Sequence, residues 1–483
     1  MDYSGYVFGS PNLFGWVALL SWFPVAALIF KRFEPSFATA LTLLGGKLFL
    51  PERLLFKLPV FPDLSKVTIP VLAALLGCLW TARPRLRAVR PLRGVDRLFL
   101  LLLAGDLATT LTNGDALQAK TALPGLTLYD FISMAFDDLV VIYATFLLGR
   151  AMMRSARELR DFLWLCFVLA LVYTPFCLFE FKMGPAANKL VYGFLQHSPD
   201  QALREGGWRP MVFLEHGLVL ARFLMLASMS GVLLARIRAV RGAMLIALLW
   251  LIVVFINVKS MGALLMAAAC APLILFAGMR SMLRASVVLA AIVALYPMLR
   301  GFDLFPTEKL LDWAGAINAD RAASLGVRFG NEDALLEKAR QRMLFGWGAY
   351  ARNHVYDEQG EDTSTTDGEW IIEFGERGLI GFLAYYGMYL WPVFAAARKG
   401  KRLQTHSAQV MLGGFALITV LLAVDTVPNA SLDWPHMFWS GALFGASEGL
   451  LRQERLKRLR ALWAKRATAR SAQAALQDAA DPA

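Results

Sequence analysis

Residues 346–381 read GWGAYARNHVYDEQGEDTSTTDGEWIIEFGERGLIG. A Gly-Trp-Gly turn opens the stretch. A polar run without periodicity follows, and Glu376-Arg377-Gly378-Leu379-Ile380-Gly381 carries the chain into an apolar helix. It closes a long polar segment, 301–370, in a chain otherwise built of apolar runs. Chemistry on a water-soluble substrate belongs most naturally on or beneath this segment.

The 483 residues as a whole are 57% hydrophobic, too apolar for an ordinary soluble domain. Many runs approach the roughly 20 apolar residues that cross a bilayer. The expected fold is all-α: a polytopic transmembrane helical bundle of about 12–13 spans, with a large outer loop containing short amphipathic helices. The net charge of +12 invites a nucleic-acid reading, but most Lys and Arg lie in short loops between apolar runs, as topology signals do. The expected partner is therefore the lipid bilayer and not nucleic acid. Cys78, Cys166, Cys177 and Cys270 all sit inside apolar runs, without disulfide or metal spacing. The first run lacks a basic n-region and an obvious cleavage site, so no cleavable signal is expected.

Thirteen candidate spans lie at 12–30, 36–50, 67–81, 96–111, 128–149, 161–181, 211–235, 242–257, 260–278, 285–300, 371–395, 408–427 and 434–450. With the C-terminus inside, the inner segments collect 29 of the 49 Lys and Arg. Charge bias thus places the tail in the cytoplasm and 301–370 outside. The chain divides into 1–300 (spans one to ten), 301–370 (outer loop), 371–450 (spans eleven to thirteen) and 451–483 (basic tail, its end SAQAALQDAADPA frayed). The outer loop carries seven basic and thirteen acidic residues. Within it Leu335, Leu336, Ala339 and Met343 fall at helical spacing, which predicts an amphipathic helix on the membrane face. VYDEQGEDTSTTDGE reads as a mobile loop. No internal repeat is visible, which weighs against a transporter built of inverted halves.

Charged residues within apolar runs are functional candidates. Glu215 and Arg222, seven apart, share a helix face beside His216, and form either a structural pair or a site. Asp130, Asp137 and Asp138 lie in span five; they bind a cation or proton, pair with an Arg of a neighbouring helix, or line a cavity, and Asp106 of span four joins that cluster. Lys259, in Asn257-Val258-Lys259-Ser260-Met261-Gly262, marks a turn near a cavity or a plain outer loop. Arg328 and Arg209 are anion-binding candidates, since guanidinium matches phosphate oxygens. Asp367 and Glu369, just outside span eleven, are either a solvated pair or a proton acceptor for a sugar hydroxyl; His354 lies in the polar loop. Gly346, Gly348, Gly378 and Gly381 are turn or close-packing positions.

The order Arg328, Gly346-Trp347-Gly348, Asp367-Gly368, then Glu376-Arg377-Gly378-Leu379-Ile380-Gly381 resembles the O-antigen ligase/polymerase superfamily, which includes the Wzy-type polysaccharide polymerases. Arg209-Pro210, Glu215-His216 and Ala221-Arg222-Phe223-Leu224 are similar to a second family segment, and Val258-Lys259-Ser260-Met261-Gly262-Ala263 to a third. The resemblance covers most of 200–450. Asp367-Gly368 stands where the ligases carry His-Asn, and Met261 stands at the family Arg, with Lys259 two residues earlier as a stand-in. The missing His favours polymerase over ligase.

The resemblance implies a GT-C-like glycosyltransferase of the bacterial inner membrane. It would polymerise a polyprenyl-diphosphate-linked oligosaccharide onto a glycan acceptor at the periplasmic face, for exopolysaccharide, capsule or O-antigen. Neither metal nor other cofactor is expected, and a chain-length-regulating co-polymerase is a possible partner. Asp367 is the first choice of catalytic base, with His354 and Glu215 behind it. Arg328, Arg222, Arg209, Lys259 and His216 are the expected diphosphate or substrate ligands. An O-antigen ligase is the nearest alternative. A flippase or transporter for the lipid-linked glycan is the alternative of another class, with Asp137 and Asp138 as coupling sites.

Overall fold

The computed structural model describes residues 9–57, 63–204, 206–317, 319–430 and 433–480. The chain is mostly helical. Among the described residues, seven helices are long and apolar enough to cross a membrane: Leu13–Arg32, Leu128–Met152, Ala156–Met183, Gly217–Arg236, Met279–Gly301, Glu369–Gly400 and His406–Asp425. Shorter apolar helices occupy Thr68–Thr81, Ala243–Asn257 and Met261–Phe276. Every expected span thus has a helix at its place, Pro35–Phe49, Arg97–Thr112 and Pro435–Ala480 supplying the remainder. Sheet is limited to two antiparallel pairs, Leu55–Phe56 with Leu64–Ser65 and Leu203–Arg204 with Gly207–Trp208.

Local chemistry sets the helix starts. The Asn12 side chain accepts from Gly15 N, and Ser155 from Glu158 N. Thr127 and Asp130 form a capping box. Gly217–Arg236 and His406–Asp425 lie at the centre of the bundle, buried over most of their length, whereas Leu13–Arg32 lies at its edge. Large apolar side chains stay exposed on the outer helices, among them Leu13, Phe14, Ile246, Leu249, Leu265 and Phe276. A surface of this kind suits hydrocarbon as solvent.

Two close contacts hold the C-terminal half together. Gly441, Gly445 and Gly449, spaced by four along one helix, lie against the carbonyls of Phe146, Arg150 and Arg154, where an added Cβ would come within 2.0, 2.3 and 1.9 Å. This is small-residue packing, in which two helix backbones touch. The polar segment is fastened by Arg300, whose Nε lies 3.0 Å from Glu332 and whose Nη2 lies 2.7 Å from Asp333.

Three expectations are corrected. The apolar side chains Leu335, Leu336 and Ala339 do lie on a helix, Ala319–Arg340, but they are buried against Glu369–Gly400 and not spread on a membrane. The frayed tail is instead helix as far as Ala480. The eleventh span is not one straight helix from 371. Glu369–Gly400 breaks at Gly378 (φ 62°, ψ −167°), and the arm before the break folds back on the arm after it. Tyr385 donates a hydrogen bond to Glu369, 16 residues away, and Phe374 meets Phe382 at 6.2 Å between ring centroids. A straight helix would hold Glu369 and Tyr385 about 24 Å apart.

The break releases backbone groups that must find partners inside the protein. Residues 343–348 supply them. Trp347 N and Gly348 N donate to Gly375 O and Glu376 O, each at 2.8 Å, and Leu379 N and Ile380 N donate to Met343 O and Leu344 O at 2.8 and 3.3 Å. The Gly-Trp-Gly turn and the Glu-Arg-Gly motif are therefore bonded main chain to main chain. The contact admits no side chain: a Cβ on Gly378 would stand 2.5 Å from Gly346 N and Leu344 O, and one on Gly346 (φ 71°) 2.4 Å from Glu376 O.

Gly378→Ala therefore forces both a left-handed alanine, costing about 1–3 kcal/mol, and the separation of the two motifs. Heated in detergent and followed by size-exclusion chromatography, the variant should lose its monodisperse peak well below the wild-type temperature. Gly262→Ala, where an added methyl meets nothing within 4 Å, should match wild type. Equal midpoints for all three proteins would disprove the hinge constraint.

Candidate functional site

The break points Arg377 into the interior. Its Nη1 lies 2.6 Å from Asp106 Oδ1 and 2.7 Å from Asp138 Oδ2, its Nη2 lies 2.7 Å from Asp138 Oδ1, and its Nε lies 3.2 Å from Glu373 Oε2. The planar fork thus holds Asp138 with two bonds while bridging to Asp106. One guanidinium faces three buried carboxylates, so loss of the Arg would leave charges that cannot reach water.

This cluster forms one wall of a cavity of about 770 Å³. Its other walls come from the paired strands Leu55–Phe56 and Leu64–Ser65 with the residues beside them, the helix around Tyr129 to Ile142, the turn at Ala349-Tyr350, and Asp433 with Met437. Asp137 and Glu376 face it. Neither carboxylate has a hydrogen-bond or ion-pair partner among the described residues, whereas Asp138 is fully engaged. Asp137 also immediately precedes a π-helical turn, Asp138–Ala144, an irregularity frequent at functional sites.

The 342–352 segment that roofs this region is clamped by the end of Arg97–Thr112 and the loop after it. Arg342 lies 2.6 Å from Asn113 Oδ1 and 2.7 Å from Asp115 Oδ2, and its hydrogen bond to Asp115 holds that carboxyl below its ordinary range. Arg352, almost wholly buried, bonds Trp347 O at 3.1 Å, Pro124 O at 2.7 Å and Asp115 O at 3.0 Å.

A second polar layer lies behind Asp433, which pairs with Lys47. Lys66 lies 3.2 Å from Glu52 and donates to Phe213 O. Burial pulls the Lys66 ammonium down to about 8, against the pull of Glu52. For Glu52, burial pushes the carboxyl up, but the Lys66 and Lys47 charges prevail and hold it below its ordinary range.

The eight residues expected to share one site are distributed over several. Arg328 Nε lies 3.9 Å from Asp367 Oδ2 and its Nη1 bonds Pro428 O at 3.1 Å, so these two do meet. Partial burial pushes the Asp367 carboxyl up, and Arg328 offsets part of this. Arg209 bonds Lys259 O at 2.8 Å, and Lys259 lines a separate cavity of about 340 Å³ with Trp208 and Trp250. Lys259 thus lies in the link between Ala243–Asn257 and Met261–Phe276, beside a cavity. Glu215 does not share a helix face with Arg222, because the helix begins at Gly217 and His216 caps it, accepting from Leu218 N at 3.1 Å. Arg222 is buried and paired with Asp425, while Glu215 lies among Lys47, Glu52, Arg53 and Asp433. His354 is tied to Asp362 at 2.6 Å. None of the eight lines the 770 Å³ cavity.

Glu369 is no surface carboxylate: it is fully buried, bonded by Tyr385. Among the alternatives for Asp137 and Asp138, pairing with a neighbouring Arg holds for Asp138 and lining a cavity for both, with Asp106 in the same cluster. Sequence reasoning missed Glu373, Asp433 and Lys47. The available signal was charge inside an apolar run, which Lys47 shows in span two. No three His, Cys, Asp or Glu side chains among the described residues are arranged to hold a metal ion. No family model matches the chain, and no curated protein matches it.

Arg377→Ala should destabilise the protein by about 3–5 kcal/mol, and Arg377→Lys should recover only part, because an ammonium cannot make the two-pronged bond. Adding Asp106→Asn and Asp138→Asn to Arg377→Ala should restore much of the loss. Thermal unfolding of the purified variants measures each step; a triple variant no better than Arg377→Ala would contradict the charge account.

Proposed function

We propose that the chain is a membrane glycosyltransferase of the polymerase type. In this reading it transfers a polyprenyl-diphosphate-linked oligosaccharide to a hydroxyl of a growing glycan. The observation that carries the reading is the main-chain docking of Gly346-Trp347-Gly348 onto Glu376-Arg377-Gly378, the two motifs of the family resemblance, at the wall of a carboxylate-lined cavity. The charge bias of the loops supports a position for this cavity near the outer face and for the basic tail in the cytoplasm, and the resemblance supplies the bacterial inner membrane.

The step needs a base and an anion-stabilising group. Asp137 takes the proton of the acceptor hydroxyl, whose oxygen forms the new glycosidic bond to the anomeric carbon. The bond from that carbon to the carrier phosphate breaks, and the diphosphate leaves with the electron pair. Lys57, a lining cation without a carboxylate partner among the described residues, is placed to receive that charge at the exposed rim. Asp137 replaces Asp367 as the base, because Asp367 faces Arg328 and not the cavity. Glu376 stands second.

One observation favours a second reading. The described cavity wall holds six carboxylates against Lys57 and Arg377, a composition that also suits a proton- or cation-coupled carrier of the same lipid-linked glycan.

A strain lacking the gene separates the readings. Single repeats left on the carrier, without long chains, are expected for the polymerase. Long chains stranded on the carrier would indicate a ligase, and repeats held at the cytoplasmic face would indicate the carrier protein. In a reconstituted assay Asp137→Asn should lower turnover by about 10²–10⁴-fold with KM little changed, while Asp367→Asn stays within a few-fold of wild type. The reverse ranking would return the base role to Asp367.

A further inference from the structure

A cavity of about 330 Å³ lies apart from the site above, where three segments distant in the chain meet. It is lined by Arg85, by Arg154 with Ser155 and Glu158, and by Arg452. All three segments belong to the basic stretches that charge bias assigns to the inner side. Backbone contacts build the cavity. Gly449 lies against Arg154 O, where an added Cβ would come within 1.9 Å, and Arg452 follows three residues later on the same helix. Ser155 caps Ala156–Met183, accepting from Glu158 N at 3.2 Å, so the positive end of that helix dipole adjoins the space.

Three guanidiniums here face one lining carboxylate. Glu158 is engaged on both oxygens, by Arg85 Nη1 at 2.7 Å and by Arg154 N at 2.8 Å. The nearby Glu448 is shared by Arg150 and Lys399, at 3.4 and 3.5 Å. Neither Arg154 nor Arg452 has an ion-pair partner among the described residues. Burial pulls the Arg154 pKa below its ordinary value; Glu448 opposes this, and Arg452 and Arg150 add to it. Nη1 of Arg154 makes no hydrogen bond. That nitrogen is enclosed, so a ligand in the cavity meets the charge of the guanidinium and not this atom. Like charges gathered around a space, with their one lining counter-ion already engaged, are stabilised by an anion.

We propose that this cavity is a binding site for phosphate, carried by an anionic lipid headgroup or a soluble phosphate ester, with Arg154 and Arg452 as its principal ligands. Planar guanidiniums present paired N–H donors to phosphate oxygens. The lining has an excess of two positive charges, which matches one phosphomonoester dianion or two phosphodiesters. The surroundings suit a headgroup. Leu76 and Trp80 are exposed on the helix that precedes Arg85, and Leu456 and Leu459 are exposed just after Arg452. Arg455, Lys457, Arg458 and Arg460 are exposed on that same helix. Apolar and aromatic surface bordering a basic pocket is what the headgroup layer meets. The site is independent of the glycan-transfer reading, whose cavity has different walls.

The test is native mass spectrometry of the full-length protein, delipidated in detergent. The probes are diphosphatidylglycerol, glycerol 3-phosphate and, as the uncharged comparison, phosphatidylcholine. One diphosphatidylglycerol should be retained, at least about tenfold more strongly than phosphatidylcholine. Arg154→Gln combined with Arg452→Gln should remove that preference. Arg455→Gln combined with Lys457→Gln takes the same charge from outside the cavity and should leave the preference within about twofold of wild type. Arg452→Gln alone, at an exposed position, should lower it several-fold, which covers the case of a double variant that does not fold. Glycerol 3-phosphate retained by the wild type and lost in the Arg154 and Arg452 variants would support the site and make its ligand a soluble ester; retention of the lipid alone would make it a headgroup. An equal loss in the two double variants would mean general attraction to a basic surface and would overturn the site. So would a wild-type protein that prefers neither anionic compound to phosphatidylcholine.

Discussion

Backbone hydrogen bonding at the broken helix is the constraint on which the rest of the site depends. A helix interrupted at Gly378 leaves amide and carbonyl groups without their usual partners, and an apolar surrounding offers no water to replace them. The chain meets this requirement with residues 343–348, whose own main chain pairs with both sides of the break. One contact thereby fixes three things: the fold-back that buries Glu369, the direction of Arg377 and Glu373, and the position of Ala349-Tyr350 over the cavity. Glycines at 346 and 378 are required because the two backbones approach closer than any Cβ permits.

The charge pattern follows from that geometry. Arg377 enters an interior already holding Asp106 and Asp138, and its bonds make their burial tolerable. The compensation is incomplete, since three carboxylates surround one guanidinium, and further carboxylates line the open side. Lys47 and Lys66, paired with Asp433 and Glu52, neutralise a neighbouring layer without reaching into the space. The interior is thus organised as paired charges in the wall and unpaired ones at the surface of the cavity. Such an arrangement places reactivity where a ligand can enter and stability where it cannot.

How much of this was legible in the sequence differs by the range of the interaction. Apolar runs report spans directly, because bilayer crossing depends on composition over about 20 residues, and each expected span has a helix. Helical spacing marked Leu335, Leu336, Ala339 and Met343 as one face; the first three are buried on one helix, whereas Met343 lies beyond its end and is exposed, and periodicity does not say that the cover here is protein. The seven-residue interval from Glu215 to Arg222 failed for a local reason: it presumes continuous helix, and His216 is the cap. The glycine motifs were visible as motifs, while their mutual contact, some 30 residues apart in sequence, was not. Arg328 and Asp367 were selected for chemical type and do meet, yet their pairing satisfies each at the surface. The cavity gathers groups from segments as distant as Asp63 and Asp433, a separation that no spacing rule reaches.

This assembly from distant segments bears on how the cavity is kept open. Its walls include the helix Leu128–Met152, which the glycine stripe of Pro435–Ala480 holds backbone to backbone, and the arm after Gly378, which the 343–348 turn holds in the same way. Both contacts are made without side chains, so neither depends on rotamer choice or on the protonation of the groups they position. Asp137 and Glu376, which make no ion pair among the described residues, can therefore change charge or ligand without loosening the frame. Had the walls been joined through Asp137 or Glu376 themselves, every change of charge at the reacting surface would also have strained the fold. Separating the backbone frame from Asp137 and Glu376 leaves those two carboxylates available for chemistry while Arg377 and Asp138 hold the wall.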